Sequence, residues 1–316
     1  MKIIKPSFEI WERDEQRGGL AIIERAGRLC YKSKPGETPE SAENFARRLI
    51  QKHHNSVLEH GDYIFEVSDP HIYANVIEEL QMFRNRGDQP PMLETTNIGG
   101  RCIVSGNVRA WRELIASGSL LARYFIGFID PAFVQGYGFI DEDMIGIPDN
   151  RIRQITYRAL DYPGEKLAHL RQTVHFVCDR AIANEFVRHR TLSPSQESTR
   201  YVDYASEHEI EVIEPSFLLD NVEAYGVWKR QCMTTESSYN ALRRMGYVPQ
   251  KSRNVLSLSN KTELAVTGNL RAWNHFFDLR ARQTTGPAHP QAVELALPLM
   301  QEMERRFPDV IGHRPK

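Results

Sequence analysis

Between Arg188 and Tyr201 the chain reads RHRTLSPSQESTRY. Arg188, His189 and Arg190 stand side by side, Ser193, Ser198 and Arg200 follow, and no acidic residue intervenes before Glu197. Adjacent basic groups repel one another, and a stable fold gains nothing by crowding them. An anion carrying several negative groups, such as a dinucleotide or a nucleotide phosphate, would offset the repulsion through charge-assisted hydrogen bonds. Taken on charge alone, the run also reads as a solvated basic helix end, favoured there by the helix macrodipole.

The elements around this run can be read from capping residues and apolar spacing. TPESAENFARRLIQKH has Thr38 as N-cap, Pro39 in the first turn, and Phe45, Leu49 and Ile50 on one face, which predicts a helix. DYIFEVS (62–68) and RQTVHFVC (171–178) predict strands. Asp179 is placed to cap a helix that carries Ile182, Ala183 and Phe186 into the basic run. HEIEVIEP predicts a further strand, followed by a long helix from about Asn221 that stops at Gly246. NLRAWNHFFDLRARQ sets Leu270, Trp273, Phe276, Phe277 and Leu279 at helical spacing. The mixture predicts an α+β fold, with helices packed on a mostly antiparallel sheet, in a single large domain over residues 1–316.

An internal echo lies within it. IVSGNVRAWRELI (103–115) parallels AVTGNLRAWNHFF (265–277), which suggests one strand-to-helix corner built twice. Asn caps the helix and Gly permits the tight turn before it. Only the second copy carries Leu279 and Arg280 further along its helix, so the site is assigned there. GYGFIDEDMIGIPDN (136–150) reads as a surface loop.

Composition narrows the class without naming it. A chain of 316 residues with 41% hydrophobic and 26% charged content can bury a real core. The formal net charge of −1 argues against a general nucleic-acid binder. No apolar run is long enough to span a membrane, and the charged start MKIIKPSFEIWERDEQ lacks a signal-peptide core, so a cytoplasmic location is expected. Cys30, Cys102, Cys178 and Cys232 are far apart and form no metal-type pair, and no base or basic cluster stands beside any of them in sequence. They are expected to be reduced structural thiols rather than nucleophiles, and no metal site is expected.

The basic run resembles the signature of the flavin-dependent thymidylate synthases: RHR, seven residues, Ser, one residue, Arg. Arg188, His189, Arg190, Ser198 and Arg200 match at that spacing. HNSVLEH (54–60) resembles the family's His-x-[ST]-x-x-Glu-His segment, and FVCDRAIANEFVRHR the strand and helix that lead into the signature. Arg253 precedes TGNLRAWNHFFDLR, which resembles the family's Asn-x-Arg helix, and AHPQAVELA (288–296) resembles its closing helix. The likeness covers roughly residues 40–67 and 172–300, with 69 to about 171 expected as an insertion. Glu185 stands where the family usually has Gln, and Gln196 where it has Glu. Pro194 and Ser195 also depart from the usual apolar residue and Asn.

The resemblance implies methylation of dUMP to dTMP, with methylenetetrahydrofolate as carbon donor and FAD, reduced by NADPH, as hydride source. A related hydroxymethylase or methylase acting on dUMP or dCMP is the alternative that the Glu185/Gln196 exchange raises. Carried over by position, Ser198, Arg200 and Arg253 are expected to bind the substrate phosphate, and Arg280 to face the uracil ring and favour its anionic form. Glu185 and Gln196 are expected to flank the nucleotide. Arg188, His189, Arg190, Asn269, Arg271 and His275 are expected to contact FAD, with Ser56 and Glu59 near it. His54 is expected to line the flavin and folate pocket as a catalytic residue with Arg280, and His169 and His175 are expected to be structural. The resemblance also implies a homotetramer with shared active sites.

Overall fold

The computed structural model describes residues 1–12, 18–34, 36, 38–85, 92–119, 121–134, 147–205 and 209–312. Ten strands are described: β1 (Lys2–Ile4), β2 (Ser7–Trp11), β3 (Asp62–Val67), β4 (Leu93–Ile98), β5 (Arg101–Asn107), β6 (Ile152–Gln154), β7 (Arg171–Asp179), β8 (Ser193–Gln196), β9 (Glu211–Ile213) and β10 (Lys261–Asn269). The helices are α1 (Gly18–Cys30), α2 (Pro39–Gln51), α3 (Pro70–Asn85), α4 (Val108–Ala116), the single turns α5 (Ala122–Phe125) and α6 (Pro131–Val134), α7 (Pro163–His169) and α8 (Arg180–Phe186), followed by α9 (Val222–Arg244), the turn α10 (Pro249–Ser252), α11 (Leu270–Arg280) and α12 (Pro290–Arg306).

Two four-stranded sheets carry the fold. One has the order β2-β7-β10-β8 and the other β4-β5-β3-β6, and every pairing within them is antiparallel. A parallel ribbon joins β1 to β9. The expected α+β class with mostly antiparallel sheet is what forms. The segment expected as an insertion supplies β4, β5 and β6, three of the four strands of the second sheet. The surface loop expected over 136–150 lies outside the described residues from 136 to 146.

Local signals explain the elements. Thr38 accepts from the Ser41 amide at 3.2 Å and starts α2, and Asp179 accepts from the Ile182 amide at 2.8 Å and starts α8. Asn221 caps α9, and the chain leaves that helix through Gly246 at φ +87°, a left-handed conformation that glycine adopts without strain. The strand expected in HEIEVIEP is three residues long, Glu211–Ile213, paired with the short β1 and bridged at Val212 to Asn260.

Strand alternation sends one face of the second sheet into each of two cores. Ile64 and Ile103 join β7, β10, α8, α11 and α12, whereas Phe65, Val67 and Val104 join α2, α3 and α4. Trp273, Phe276 and Phe277 seal the inner face of α11, each at most 1% exposed. Burial of such side chains is worth roughly 1.5–3 kcal/mol apiece, which fixes the helix that carries the outward-facing Arg271, His275 and Arg280.

Candidate active site

Two helix ends meet at the basic run. Helix α8 buries Ile182, Ala183 and Phe186 and stops at Val187, so Arg188, His189 and Arg190 form the turn between α8 and β8. Helix α11 leaves β10 through Asn269, whose side-chain oxygen accepts from the Ala272 amide at 2.9 Å. The turn and the outer face of α11 enclose a cleft of about 380 Å³ lined by Arg188, His189, Arg190, Thr191, His275, Leu279 and Arg280.

Arg280 organises this cleft. Its Nη1 donates to Glu185 Oε2 at 2.5 Å, its Nη2 to the Glu185 carbonyl at 3.4 Å, and its Nε to His189 Nε2 at 3.1 Å. A ring nitrogen that accepts from a guanidinium is unprotonated. Burial first, then the charge of Arg280 and the neighbouring His275, lowers the His189 pKa to about 4. The His189 ring packs on Phe276, with centroids 4.9 Å apart. Arg188 and Arg190 make no ion pair among the described residues. The cleft therefore presents unpaired cations beside a neutral imidazole and a partly engaged guanidinium, a donor set suited to an anionic dinucleotide or nucleotide.

A second cluster follows β8. Ser198 Oγ accepts from the Arg200 amide at 3.2 Å, the Ser198 amide donates to the Cys30 carbonyl, and Arg253 Nη1 donates to Thr199 Oγ1 at 3.4 Å. Arg200 is exposed and lies over the Tyr201 ring, which in turn meets Tyr31 at 5.1 Å. Arg253, from the turn at 253–255, thus reaches the segment that carries Ser198 and Arg200 through Thr199.

Beneath it lies a network that sequence reasoning missed. Lys261, 5% exposed, bonds Glu197 Oε2 at 3.0 Å and also Glu263. Tyr204 donates to Glu197 at 2.8 Å, and His175 Nε2 lies 2.9 Å from Glu263. Burial alone would lower the Lys261 pKa and raise that of Glu263. The mutual charges and the His175 bond prevail, so Lys261 is raised and Glu263 falls to about 2.

The remaining expected residues are dispersed. Asn269 and Arg271 bond Glu94, a residue of the second sheet. Glu59 accepts from Arg109 at 2.7 Å, while His54 and Ser56 are exposed around the 3-10 turn at 55–60. Glu185 and Gln196 have separate partners, since Gln196 donates to Thr262 Oγ1 at 3.3 Å. The amide and carboxylate that traded places therefore form no bond with each other. Cys102, Cys178 and Cys232 are buried and Cys30 half-buried, all four are free, and burial raises each thiol pKa, as inert cysteines require. No group of side chains suited to a metal ion occurs among the described residues.

The two clusters offer cationic and hydroxyl donors suited to anions, and comparison with known proteins gives the family. The profile of the thymidylate synthase complementing protein family matches residues 14–84 and 150–309, and the chain belongs to that family. Among its relatives is the flavin-dependent thymidylate synthase of Pyrococcus furiosus, 33% identical over 164 residues, which are 51% of this chain and 66% of that protein. The enzyme of the same name from Mycolicibacterium vanbaalenii is 30% identical over 148 residues, 42% of this chain and 57% of its own length. The chain thus matches less than two thirds of either relative. A solved structure of the UMP/dUMP methylase PolB from Streptomyces cacaoi with 5-Br dUMP aligns over 100% of both chains, at a TM-score of 0.43 and 14% identity.

Proposed function

We propose that the protein is a flavin-dependent thymidylate synthase that methylates dUMP to dTMP. The observation that carries this reading is the cleft in which the RHR turn faces Arg280 and His275. Arg188 and Arg190, unpaired among the described residues, fit the diphosphate of FAD, with Asn269, Arg271 and His275 continuing the contact along α11 and Ser56 and Glu59 beside it. When bound, FAD reduced by NADPH supplies a hydride, and methylenetetrahydrofolate supplies the one-carbon unit. Ser198, Arg200 and Arg253 hold the nucleotide phosphate through hydroxyl and guanidinium donors.

Arg280 stabilises negative charge on the pyrimidine carbonyls as the ring is activated, without reorganisation at the moment of reaction. A guanidinium has five N–H donors, and three are used on Glu185 and His189, so two are left for the ring edge. His189 supports this by staying neutral and accepting from Nε. His54 lines the entry to the flavin and folate pocket. The assembly follows the family resemblance, a homotetramer with shared sites working in the cytoplasm.

A second reading has one observation in its favour. Glu185 neutralises Arg280 and sets a carboxylate acceptor near the ring position, which suits an exocyclic amino group as well as a ring N–H. That reading is a flavin- and folate-dependent hydroxymethylase or methylase that takes dUMP or dCMP. Mass spectrometry of the nucleotide product, after anaerobic incubation with FAD, NADPH, methylenetetrahydrofolate and dUMP or dCMP, separates the two. Thymidylate from dUMP supports the first reading, and a hydroxymethylated product or turnover of dCMP alone supports the second. No product from either nucleotide would sink both.

A further inference from the structure

The sequence echo is the visible part of a larger duplication. Residues 62–116 run strand, helix, strand, strand, helix as β3, α3, β4, β5 and α4. Residues 171–280 repeat that order as β7, α8, β8, β10 and α11, with 197–260 interposed between the last two strands. The registers agree. Asp62 pairs with the cap residue Asn107 in one copy, and Arg171 pairs with the cap residue Asn269 in the other. A Cβ added to Gly106 would come within 2.3 Å of Leu93 Cδ2, and one added to Gly268 within 2.2 Å of Leu192 Cδ2. This equates Leu93 with Leu192, and so Glu94 with Ser193 and Thr96 with Ser195.

The copies are docked through equivalent residues. His60, two positions before the opening strand of the first copy, places Nδ1 2.7 Å from Thr267 Oγ1 and Nε2 2.8 Å from Ser195 Oγ of the second copy. His169, two positions before the opening strand of the second, places Nδ1 2.7 Å from Ser105 Oγ and Nε2 2.8 Å from Thr96 Oγ1 of the first. The same ring atoms thus meet equivalent positions in exchange, a reciprocal contact of the kind a two-fold axis generates.

The charges at this contact are unlike. Where the first copy has Asp62, the second has Arg171, whose Nη2 donates to the Glu59 carbonyl at 3.1 Å; burial lowers the Arg171 pKa, and the charges of Asp62, Glu59 and Glu94 oppose that without overcoming it. Two identical copies would set like charges here, so the pair has diverged into acidic and basic members. Glu94, where the second copy has Ser193, reaches across it. Its Oε1 accepts from Asn269 Nδ2 at 3.2 Å and its Oε2 from Arg271 Nη1 at 2.9 Å.

We propose that the first copy serves the second as a built-in partner subunit, and that Glu94 is the positioning residue through which it orients Asn269 and Arg271 on the ligand-facing side of α11. With Oδ1 committed to the helix cap, the Asn269 amide has its Nδ2 fixed by Glu94 and the Ala168 carbonyl. Arg271 lies one helical turn before His275, so Glu94 anchors the end of the stripe that runs into the cleft. The positioning role rests on the reading that this stripe binds FAD.

The test measures FAD affinity by flavin fluorescence, and the melting temperature, on the full chain and its variants. Arg271→Ala and His275→Ala, both on α11, are expected to weaken FAD binding at least tenfold, which checks the site itself. Glu94→Ala is expected to weaken it about tenfold with the melting temperature within a few degrees of wild type. Glu94→Gln, whose carbonyl still accepts from Asn269, recovers most of the affinity. If the α11 variants lose FAD and Glu94→Ala does not, the positioning role is overturned while the site stands. If the α11 variants bind FAD as wild type does, the site reading falls and takes the positioning role with it. Docking of the copies is read without any ligand, from the unfolding of Asp62→Asn, Arg171→Gln and the double variant. A combined loss smaller than the sum of the single losses supports the docking, and strict additivity overturns it.

Discussion

Glu185 Oε2 lies 2.5 Å from Arg280 Nη1, so the guanidinium expected at the pyrimidine ring is tied to a carboxylate on the neighbouring helix. Both side chains are partly exposed, at 20% for Arg280 and 33% for Glu185, and a pair of this kind contributes on the order of 1 kcal/mol. Its consequence lies less in stability than in what Arg280 can still offer. Glu185→Gln keeps a hydrogen bond while removing the charge, and it is expected to raise the affinity for dUMP by roughly fivefold, the equivalent of about 1 kcal/mol. Steady-state kinetics with dUMP and dCMP would show whether the change favours dUMP alone. Arg280→Ala is expected to abolish turnover while leaving flavin bound, and turnover that survived would remove Arg280 from its assigned role.

The Lys261 network makes a prediction about stability rather than catalysis. Lys261 neutralises Glu197, a carboxylate only 1% exposed, and also bonds Glu263. Removing one partner of a buried pair leaves an uncompensated charge, which typically costs about 3–5 kcal/mol. Lys261→Met is therefore expected to destabilise the protein by about that amount in urea unfolding, and Lys261→Met with Glu197→Gln to recover part of the loss. A single variant as stable as wild type would mean that the network carries no net charge-pair energy.

What could be read from sequence was local, and what could not was set by register. The caps at Thr38, Asp179, Asn221 and Asn269 act within three residues, so the helices they start were legible. The meeting of Arg188, His189 and Arg190 with His275 and Arg280 was accessible only through the motif, because no periodicity links a turn at 188 to a helix at 270. Nothing in the sequence around His60 gives it a role, since its partners Ser195 and Thr267 are chosen by how two sheets face each other. Glu94 was invisible for the same reason: it meets Asn269 across 175 positions. Lys261 and Glu197 lie 64 apart and become a pair only once the two strands are aligned.

Three buried histidines give the stability a direction in pH. Burial, with Arg171 in one case, Arg271 in another, and Arg280 with His275 in the third, lowers His60 to about 3 and His169 and His189 to about 4, from 6.5. Between these values and 6.5 the unfolded chain binds protons that the folded chain excludes. The contribution is therefore present in full above about pH 6.5 and is lost as pH falls toward 4, at up to about 1.4 kcal/mol per pH unit for each histidine. Melting temperatures taken from pH 7.5 to 4.5 are expected to drop across this window, and His169→Gln to flatten the drop. A melting temperature that did not change from pH 6.5 to 4.5 would show that these rings are protonated in the folded protein.

The two glycines at the strand ends allow the duplicated corners to be separated by function. Gly106 and Gly268 sit under Leu93 and Leu192, and a methyl group at either would fall well inside contact distance of a leucine side chain. Leu192 is 4% exposed, so it has little room to turn away. Overpacking of this sort costs typically 1–3 kcal/mol, and both Gly106→Ala and Gly268→Ala are expected to lower stability by about that much. Their effects on the cleft should differ. Gly268 leads directly through Asn269 into α11, and Leu192 follows the RHR turn by two residues, so a shift there moves both walls of the cleft at once. Gly106 leads into α4, whose face carries no counterpart of Arg280. Flavin titration of the two variants, compared at a temperature where both are folded, is expected to show strongly weakened binding for Gly268→Ala and a smaller loss for Gly106→Ala, which reaches the cleft only through Leu93 and its neighbour Glu94. Equal weakening in both would place the flavin across the two corners alike.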